Sequence, residues 1–400
     1  MTTASEVTIP CPTPIPDFLT GEFASKLAYL DEQVLGAKVN PGGESVLLRL
    51  RSAASAADSD RLRDKLTRAA AVMLEHARPF ESKVLEDESA NPSLFRDDPL
   101  PQLLELGEVI FEENGIASLG PLLTRMLHFF ESEFRKLGAA AGGAPRHFPT
   151  LIPASYLQGI RYYQTFPHSL TFASHLREDM DLIQKFAQQA ALDDGALAVP
   201  EGCTSEVRAL LSPAVCHHLY LGLRGKSVPE GALRAYGSCD CFRYESNNMN
   251  GLERLWNFTM WEVVFVGTAD EVMAGITGGQ AAASKLFKEW GLSYVLRGAN
   301  DPFFLGEFAE QTTYQYAYDL KYEYRAKLPF KESDLAIGSR NYHRDFFGRA
   351  MKITGSNGKP AHTGCVAFGM QRLLFALLAQ HGIDPARWPE RLRAGVEAAI

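Results

Sequence analysis

Two strand-like runs, Ala235 to Glu245 and Trp256 to Gly267, flank a polar loop from Ser246 to Leu255, and a hairpin is the simplest way to fold such a segment. Cys241-Phe242-Arg243-Tyr244-Glu245 leads into the loop, and Trp256-Asn257-Phe258-Thr259-Met260-Trp261-Glu262 leads out of it. The two-residue period of a strand puts Arg243 with Glu245 on one face, and Phe258, Met260 and Glu262 together on one face. One wall then carries a cation, an aromatic ring and two carboxylates. Such a wall suits a nucleotide: a guanidinium contacts an α-phosphate in bidentate fashion and stabilises charge developing during attack, and a flat ring stacks on adenine. Arg254, at the end of the loop, would fold over the outer phosphates. The competing reading, a surface pair of Arg243 and Glu245 with Phe258 in the core, remains open on this segment alone.

A second segment shifts that balance. In Gly364-Cys365-Val366-Ala367-Phe368-Gly369-Met370-Gln371-Arg372 an apolar strand turns at Gly369 into a helix with an arginine in its first turn, placing Arg372 toward a polyphosphate. Leu373, Leu374, Leu377 and Leu378 are the buried stripe of that helix.

The rest of the chain sets the frame. Four hundred residues allow two domains. Residues 1–16, rich in Thr, Ser and Pro, are expected as a flexible tail. Residues 17–100 are expected as an N-terminal α+β module, with a strand near Val46 to Arg51 and a helix from Asp58 to Phe80 capped by Ser59 or Asp60. Glu86 to Leu100 serves as the candidate linker, and residues 101–400 form the larger domain. Within it Leu119 to Leu137 reads as an amphipathic helix, followed by the small-residue loop Gly138 to Pro145 and an apolar strand ending at Pro153. Strands broken by loops favour an antiparallel sheet flanked by helices, an α+β fold.

The formal charge of −8 argues against a surface built for long nucleic acid. The stretch from Lys321 to Lys352 is locally basic, and would either receive an acidic or phosphorylated partner or form an ordinary solvated face. No apolar run is long enough to span a bilayer and the N-terminus has no signal-peptide pattern, so a cytoplasmic location is expected. Six scattered cysteines fit reduced thiols or metal ligands better than a disulfide framework.

Taken together these segments resemble the catalytic domain of class II aminoacyl-tRNA synthetases. The helix, loop and strand ending at Pro153 look like motif 1, Phe242 to Glu262 like motif 2, and Gly364 to Arg372 like motif 3. Lys321-Tyr322-Glu323, Lys327-Leu328-Pro329 and Ser339-Arg340-Asn341-Tyr342-His343 are similar to the seryl subtype. Pro213-Ala214-Val215-Cys216-His217-His218, Trp261 to Gly267 and Gly338 to Gly348 resemble the truncated homologues called amino acid:[carrier protein] ligases. The resemblance covers roughly Gly115 to the C-terminus, and its three motifs are specific together in a way none is singly.

The resemblance implies a ligase that uses ATP to convert an amino acid, expected to be a small one, into an aminoacyl-adenylate. The acyl group then passes to the phosphopantetheine thiol of a carrier protein. Arg243, Glu245, Arg254, Phe258 and Arg372 would hold ATP, with Arg243 and Arg372 as the catalytic arginines. It also implies a catalytic zinc on Cys216, Glu262 and Cys365, with a fourth position for the substrate amine; the adjacent His217 and His218 are not required. Magnesium is implied without an assigned ligand, Glu332 and Asp334 aligning only loosely, and so is a homodimer through the motif 1 helix. The first hundred residues lack the long helical hairpin typical of seryl-tRNA synthetases, which argues against tRNA as acceptor. A divergent zinc-dependent seryl-tRNA synthetase and a non-catalytic synthetase-like regulator remain as alternatives.

Overall fold

The computed structural model describes residues 5–75, 79, 82–301, 303, 312, 314–316, 318–331 and 333–399. Residues 5–74 form a small module: β1 (Ser5–Pro10), α1 (Asp17–Leu27), β2 (Val34–Val39), β3 (Ser45–Leu50) and α2 (Ala56–Leu74). The strands pair antiparallel in the order β1-β3-β2, and Phe23, Leu27, Val46, Leu48, Leu62 and Leu66 fill the core beneath them. Two expectations are corrected here. The segment expected as a mobile tail contributes β1, because Ile9 and Ile15 are buried and anchor it; its Pro-rich flank hid a short run of alternating residues. The cap of α2 is Ser55, whose hydroxyl accepts from the Asp58 N–H at 3.2 Å while Asp58 accepts from the Ser55 N–H at 3.1 Å, a capping box. The expected end of that helix, with Ala77 and Phe80, lies outside the described residues.

The larger unit is built on an eight-stranded sheet. Its strands are β4 (Val84–Asp87), β5 (Ala144–Pro145), β6 (Leu233–Phe242), β7 (Asn257–Gly267), β8 (Tyr294–Gly298), β9 (Lys321–Leu328), β10 (Ser333–Arg344) and β11 (His362–Gly369). They run in the order β4-β8-β9-β10-β11-β7-β6-β5, all antiparallel except the parallel β5 and β6. The expected linker is therefore partly sheet: Glu86 accepts hydrogen bonds from Tyr294 Oη, Ser284 Oγ and Gln280 Nε2, each at 2.9 Å. The strand ending at Pro153 is also reassigned. Leu151–Pro153 pairs with Ala209–Leu211 in a separate sheet, and the short Ala144–Pro145 joins the main one.

Alternation in β7 and β11 separates the two faces. Trp261, Val263, Phe265, Val366 and Phe368 face the long helices α3 (Pro121–Ala140), α5 (Ala269–Glu289) and α6 (Met370–His381), forming a core with Phe130, Phe134, Phe287 and Trp290. The stacked rings of Phe134 and Phe368, 4.4 Å apart, lock α3 to the sheet. The other face carries the smaller Cys239, Cys241, Met260, Cys365 and Ala367, and a cleft opens above it. No described helix is long and apolar enough to cross a membrane.

Candidate functional site

The sheet register assembles the first part of the site. Glu262 in β7 stands opposite Ala367 in β11, so Cys365, two residues away, points to the same face. Cys216 opens the helix α4 (Cys216–Gly222), which lies over that face. Its backbone N–H donates to Glu262 Oε2 at 3.1 Å. The ligating atoms of Cys216, Glu262 and Cys365 all lie within 4.8 Å of one another, and the residues are only 5 %, 2 % and 2 % exposed. No other such trio is gathered among the described residues.

Burial controls the protonation of this cluster. It pushes the Glu262 carboxyl up to about 7, against the lowering effect of its hydrogen bonds with Cys216. A hydrogen bond with Cys365 together with burial pushes the Cys216 thiol well up. The Cys365 thiol is pulled down by Cys216, but burial and the Glu262 carboxylate outweigh that pull and raise it. Two thiols and a carboxylate gathered in this way form a donor set that could hold a metal ion. Tetrahedral ligands about 2.3 Å from a zinc ion stand roughly 3.8 Å apart, a spacing this cluster accommodates. Around it, Asn341 Nδ2 donates to Cys365 Sγ at 3.5 Å and to Ser339 Oγ at 2.8 Å, which fixes the orientation of the thiol. His217 and His218 have other partners: His217 Nδ1 meets Tyr156 Oη at 3.1 Å, and His218 Nε2 meets Ser212 Oγ at 2.9 Å.

The nucleotide candidates line the same cleft, of about 410 Å³, together with Cys216, Glu262 and Cys365. β6 ends at Phe242, one residue before Arg243, so Arg243, Tyr244 and Glu245 belong to the turn rather than to the strand. Arg243 Nε donates to Pro213 O at 3.0 Å, and its guanidinium sits 5.6 Å from the centroid of the Phe258 ring. Glu245 is ion-paired with Arg254. Burial raises the Glu245 carboxyl, yet Arg254 and Arg372 hold it below its usual range. Arg372 Nε donates to Glu253 O at 2.6 Å and Nη1 to Ala336 O at 3.3 Å. Burial, helped by Arg254 and Arg243, pushes Arg372 down to about 10 against the pull of Glu245. Three guanidiniums thus converge on one carboxylate, an excess of positive charge that suits a polyanionic ligand.

Four of the eight lysines and arginines from Lys321 to Lys352 are ion-paired within the fold. Lys321 pairs with Asp301 at 2.5 Å and Glu323 at 3.2 Å, Arg325 with Asp334 at 2.6 Å, Lys331 with Glu253 at 2.6 Å and Arg349 with Asp345 at 2.7 Å. Arg340 and Arg344 stand over the rings of Tyr322 and Tyr318, and Lys327 and Lys352 are exposed. Asp334 also accepts from Arg297 at 2.8 Å, and Glu332 lies outside the described residues. Sequence reasoning missed Lys26 and Tyr29, which reach the cleft from the N-terminal module, and His168 and Ser169, which line it from the segment between the strands Leu151–Pro153 and Ala209–Leu211. No local pattern could have found these contacts, which for Tyr29 and Tyr244 span 215 residues.

The tRNA synthetase class II core domain (G, H, P, S and T) matches residues 206–381. Amino acid–[acyl-carrier-protein] ligase 1 of Bradyrhizobium diazoefficiens is 33% identical over 255 residues, covering 63% of this chain and 76% of that protein. The chain belongs to this class II synthetase-like ligase family. The ligase is also 29% identical over 273 residues to the type-2 serine–tRNA ligase of Methanopyrus kandleri, covering 64% of this chain and 50% of that one. The solved structure of M. kandleri SerRS in complex with A. aeolicus tRNASec superposes with a TM-score of 0.72 at 20% identity, over 98% of this chain and 77% of that chain. The ligase therefore has the class II synthetase fold, an antiparallel sheet flanked by helices, as the three motifs implied.

Proposed function

We propose that this ligase activates an amino acid with ATP and transfers it to the phosphopantetheine thiol of a carrier protein. The observation that carries the reading is the placement of Cys216, Glu262 and Cys365 on the floor of the cleft whose walls hold Arg243, Phe258 and Arg372. The carrier protein as acceptor comes from the Bradyrhizobium relative, whose name specifies it.

In this reading Phe258 stacks on adenine, Arg243 contacts the α-phosphate, and Arg254 and Arg372 hold the outer phosphates. A carboxylate oxygen of the amino acid bonds to the α-phosphorus as the bond to the bridging oxygen of the leaving pyrophosphate breaks. The arginines stabilise the charge gathering on the phosphoryl oxygens, and no protein nucleophile is needed. The thiol of the carrier arm then bonds to the acyl carbon, AMP departs with the bonding electrons, and the thiol proton passes to solvent. Glu262, Cys216 and Cys365 would hold zinc, which when bound supplies a Lewis acid that takes the α-amine of the substrate at an open position. Because an amine is common to all amino acids, side-chain selection falls to the rest of the cleft, and we infer a small substrate. Magnesium would accompany ATP, and α3 with its neighbouring strands would form the dimer contact.

The test is amino-acid-dependent ATP–pyrophosphate exchange across the standard amino acids, with and without a zinc chelator. It is followed by transfer of the labelled amino acid to a phosphopantetheinylated carrier protein or to tRNA. Exchange lost on chelation, with label on the carrier, is the expected result. Label on tRNA and never on a carrier thiol would replace this reading with a seryl-tRNA synthetase, which the similarity to the M. kandleri enzyme keeps in view.

A further inference from the structure

The N-terminal module is fastened to the loop that carries Glu245 and Arg254. Asn248 Nδ2 donates to Ser25 O at 2.8 Å, Ser246 Oγ to Ala28 O at 3.3 Å, the Asn247 side-chain amide to Val34 O, and Tyr29 Oη to Tyr244 O at 3.5 Å. Beneath these contacts Phe303, from the larger unit, is buried in the core of the module, and Phe166 stacks on it with ring centroids 5.2 Å apart. Polar and apolar contacts together fix α1 at the cleft.

This docking inserts one cation into the cleft. The Lys26 side chain is only 3 % exposed, yet it lines the same cavity as Arg243, Arg254 and Arg372. Glu22, one turn earlier on α1, pairs with the ammonium at 3.9 Å. Its neighbour Ser25 accepts from Asn248, so this turn of α1 lies against the loop between Glu245 and Arg254, and both of those residues influence the charge of the ammonium. Burial lowers Lys26 to about 8, so its charge is kept here at a cost that an apolar residue packing α1 against the loop would avoid.

We propose that Lys26 is a ligand-binding residue of the nucleotide site, its ammonium contacting the β- and γ-phosphates beside Arg254, so that the N-terminal module completes the active site of the larger unit. The inference rests on the nucleotide reading given above. With adenine on Phe258 and the α-phosphate at Arg243, the outer phosphates extend toward Arg254 and Arg372, where Lys26 also stands. An ammonium is a compact charge with several donors, suited to phosphate oxygens that move during pyrophosphate release.

The experiment is calorimetric titration of the full chain with ATP and, separately, with AMP in magnesium buffer, comparing wild type with Lys26→Met. ATP affinity is expected to fall about ten- to a hundredfold, the value of one hydrogen bond to a charged group, with AMP affinity unchanged. Lys26→Gln, which keeps a polar head beside Glu22, replaces the methionine variant if that chain does not fold. Equal ATP affinity in wild type and variant, or equal weakening of ATP and AMP, would overturn the role of Lys26 and leave the nucleotide reading standing. A wild-type chain that binds neither nucleotide would overturn both.

Discussion

The backbone N–H of Cys216 donates to Glu262 Oε2 at 3.1 Å, tying the first turn of a short helix to the middle of the central sheet. The same carboxylate stands on the face that presents Cys365. Removing one thiol therefore leaves a donor pair too poor to hold zinc. Cys365→Ala is expected to lose bound zinc and amino acid activation together, read by metal analysis and pyrophosphate exchange on the same preparation. A zinc-free variant that still exchanges pyrophosphate would remove the metal from the reaction.

In the proposed mechanism Phe258 and Arg372 would make separable contributions. Stacking of a base on an aromatic ring is worth about 1–3 kcal/mol, so Phe258→Ala should weaken ATP and AMP alike by roughly ten- to a hundredfold. Arg372 is anchored by the carbonyls of Glu253 and Ala336, and in the proposed mechanism it would face charge that changes during the reaction. Arg372→Ala should lower the rate of pyrophosphate exchange more than it lowers AMP affinity. Nucleotide titrations beside exchange kinetics separate the two effects.

How far the site was legible follows from what each residue depends on. Phe258, Met260 and Glu262 share a face because a strand alternates, and Arg372 follows Gly369 because the chain passes straight from strand to helix; both are local and were readable. That Arg243 and Glu245 lie past the strand end was not readable, since the hairpin pairing stops at Phe242 opposite Asn257. The burial of β1 depends on Ile9 meeting the module core, and the neutralisation of Lys321 depends on Asp301 and Glu323. These are tertiary outcomes that composition obscures: a Pro-rich flank looked mobile, and a count of lysines and arginines does not tell a patch from an ordinary face.

The edge strand β4 offers a test of the fold itself. Glu86 accepts from Tyr294 Oη, Ser284 Oγ and Gln280 Nε2, linking β4, β8 and α5. Glu86→Ala strands three donors that are partly withdrawn from water, and should destabilise the chain by about 2–4 kcal/mol. Urea unfolding followed by circular dichroism reads this as a lower midpoint, with pyrophosphate exchange preserved under native conditions.

Lys26 gives a prediction whose sign depends on pH. Burial lowers its folded value to about 8 from an ordinary 10.5, with Glu22 and Glu245 partly offsetting the burial and Arg254 adding to it. Between those two values the unfolded chain holds the proton and the folded chain does not, so stability rises with pH in that window. Below about pH 8 the penalty is complete, of order 3 kcal/mol. Lys26→Met removes the penalty, so the variant should be more stable than wild type at pH 7. The advantage should shrink to roughly half by pH 9.5, as the wild-type amine is already neutral when folded. Denaturant unfolding of both chains at the two pH values reads the difference directly. A variant that gains stability while losing ATP affinity would mark Lys26 as a residue kept for binding, whereas a variant that loses stability at pH 7 would make it a structural counter-charge for Glu22 and Glu245.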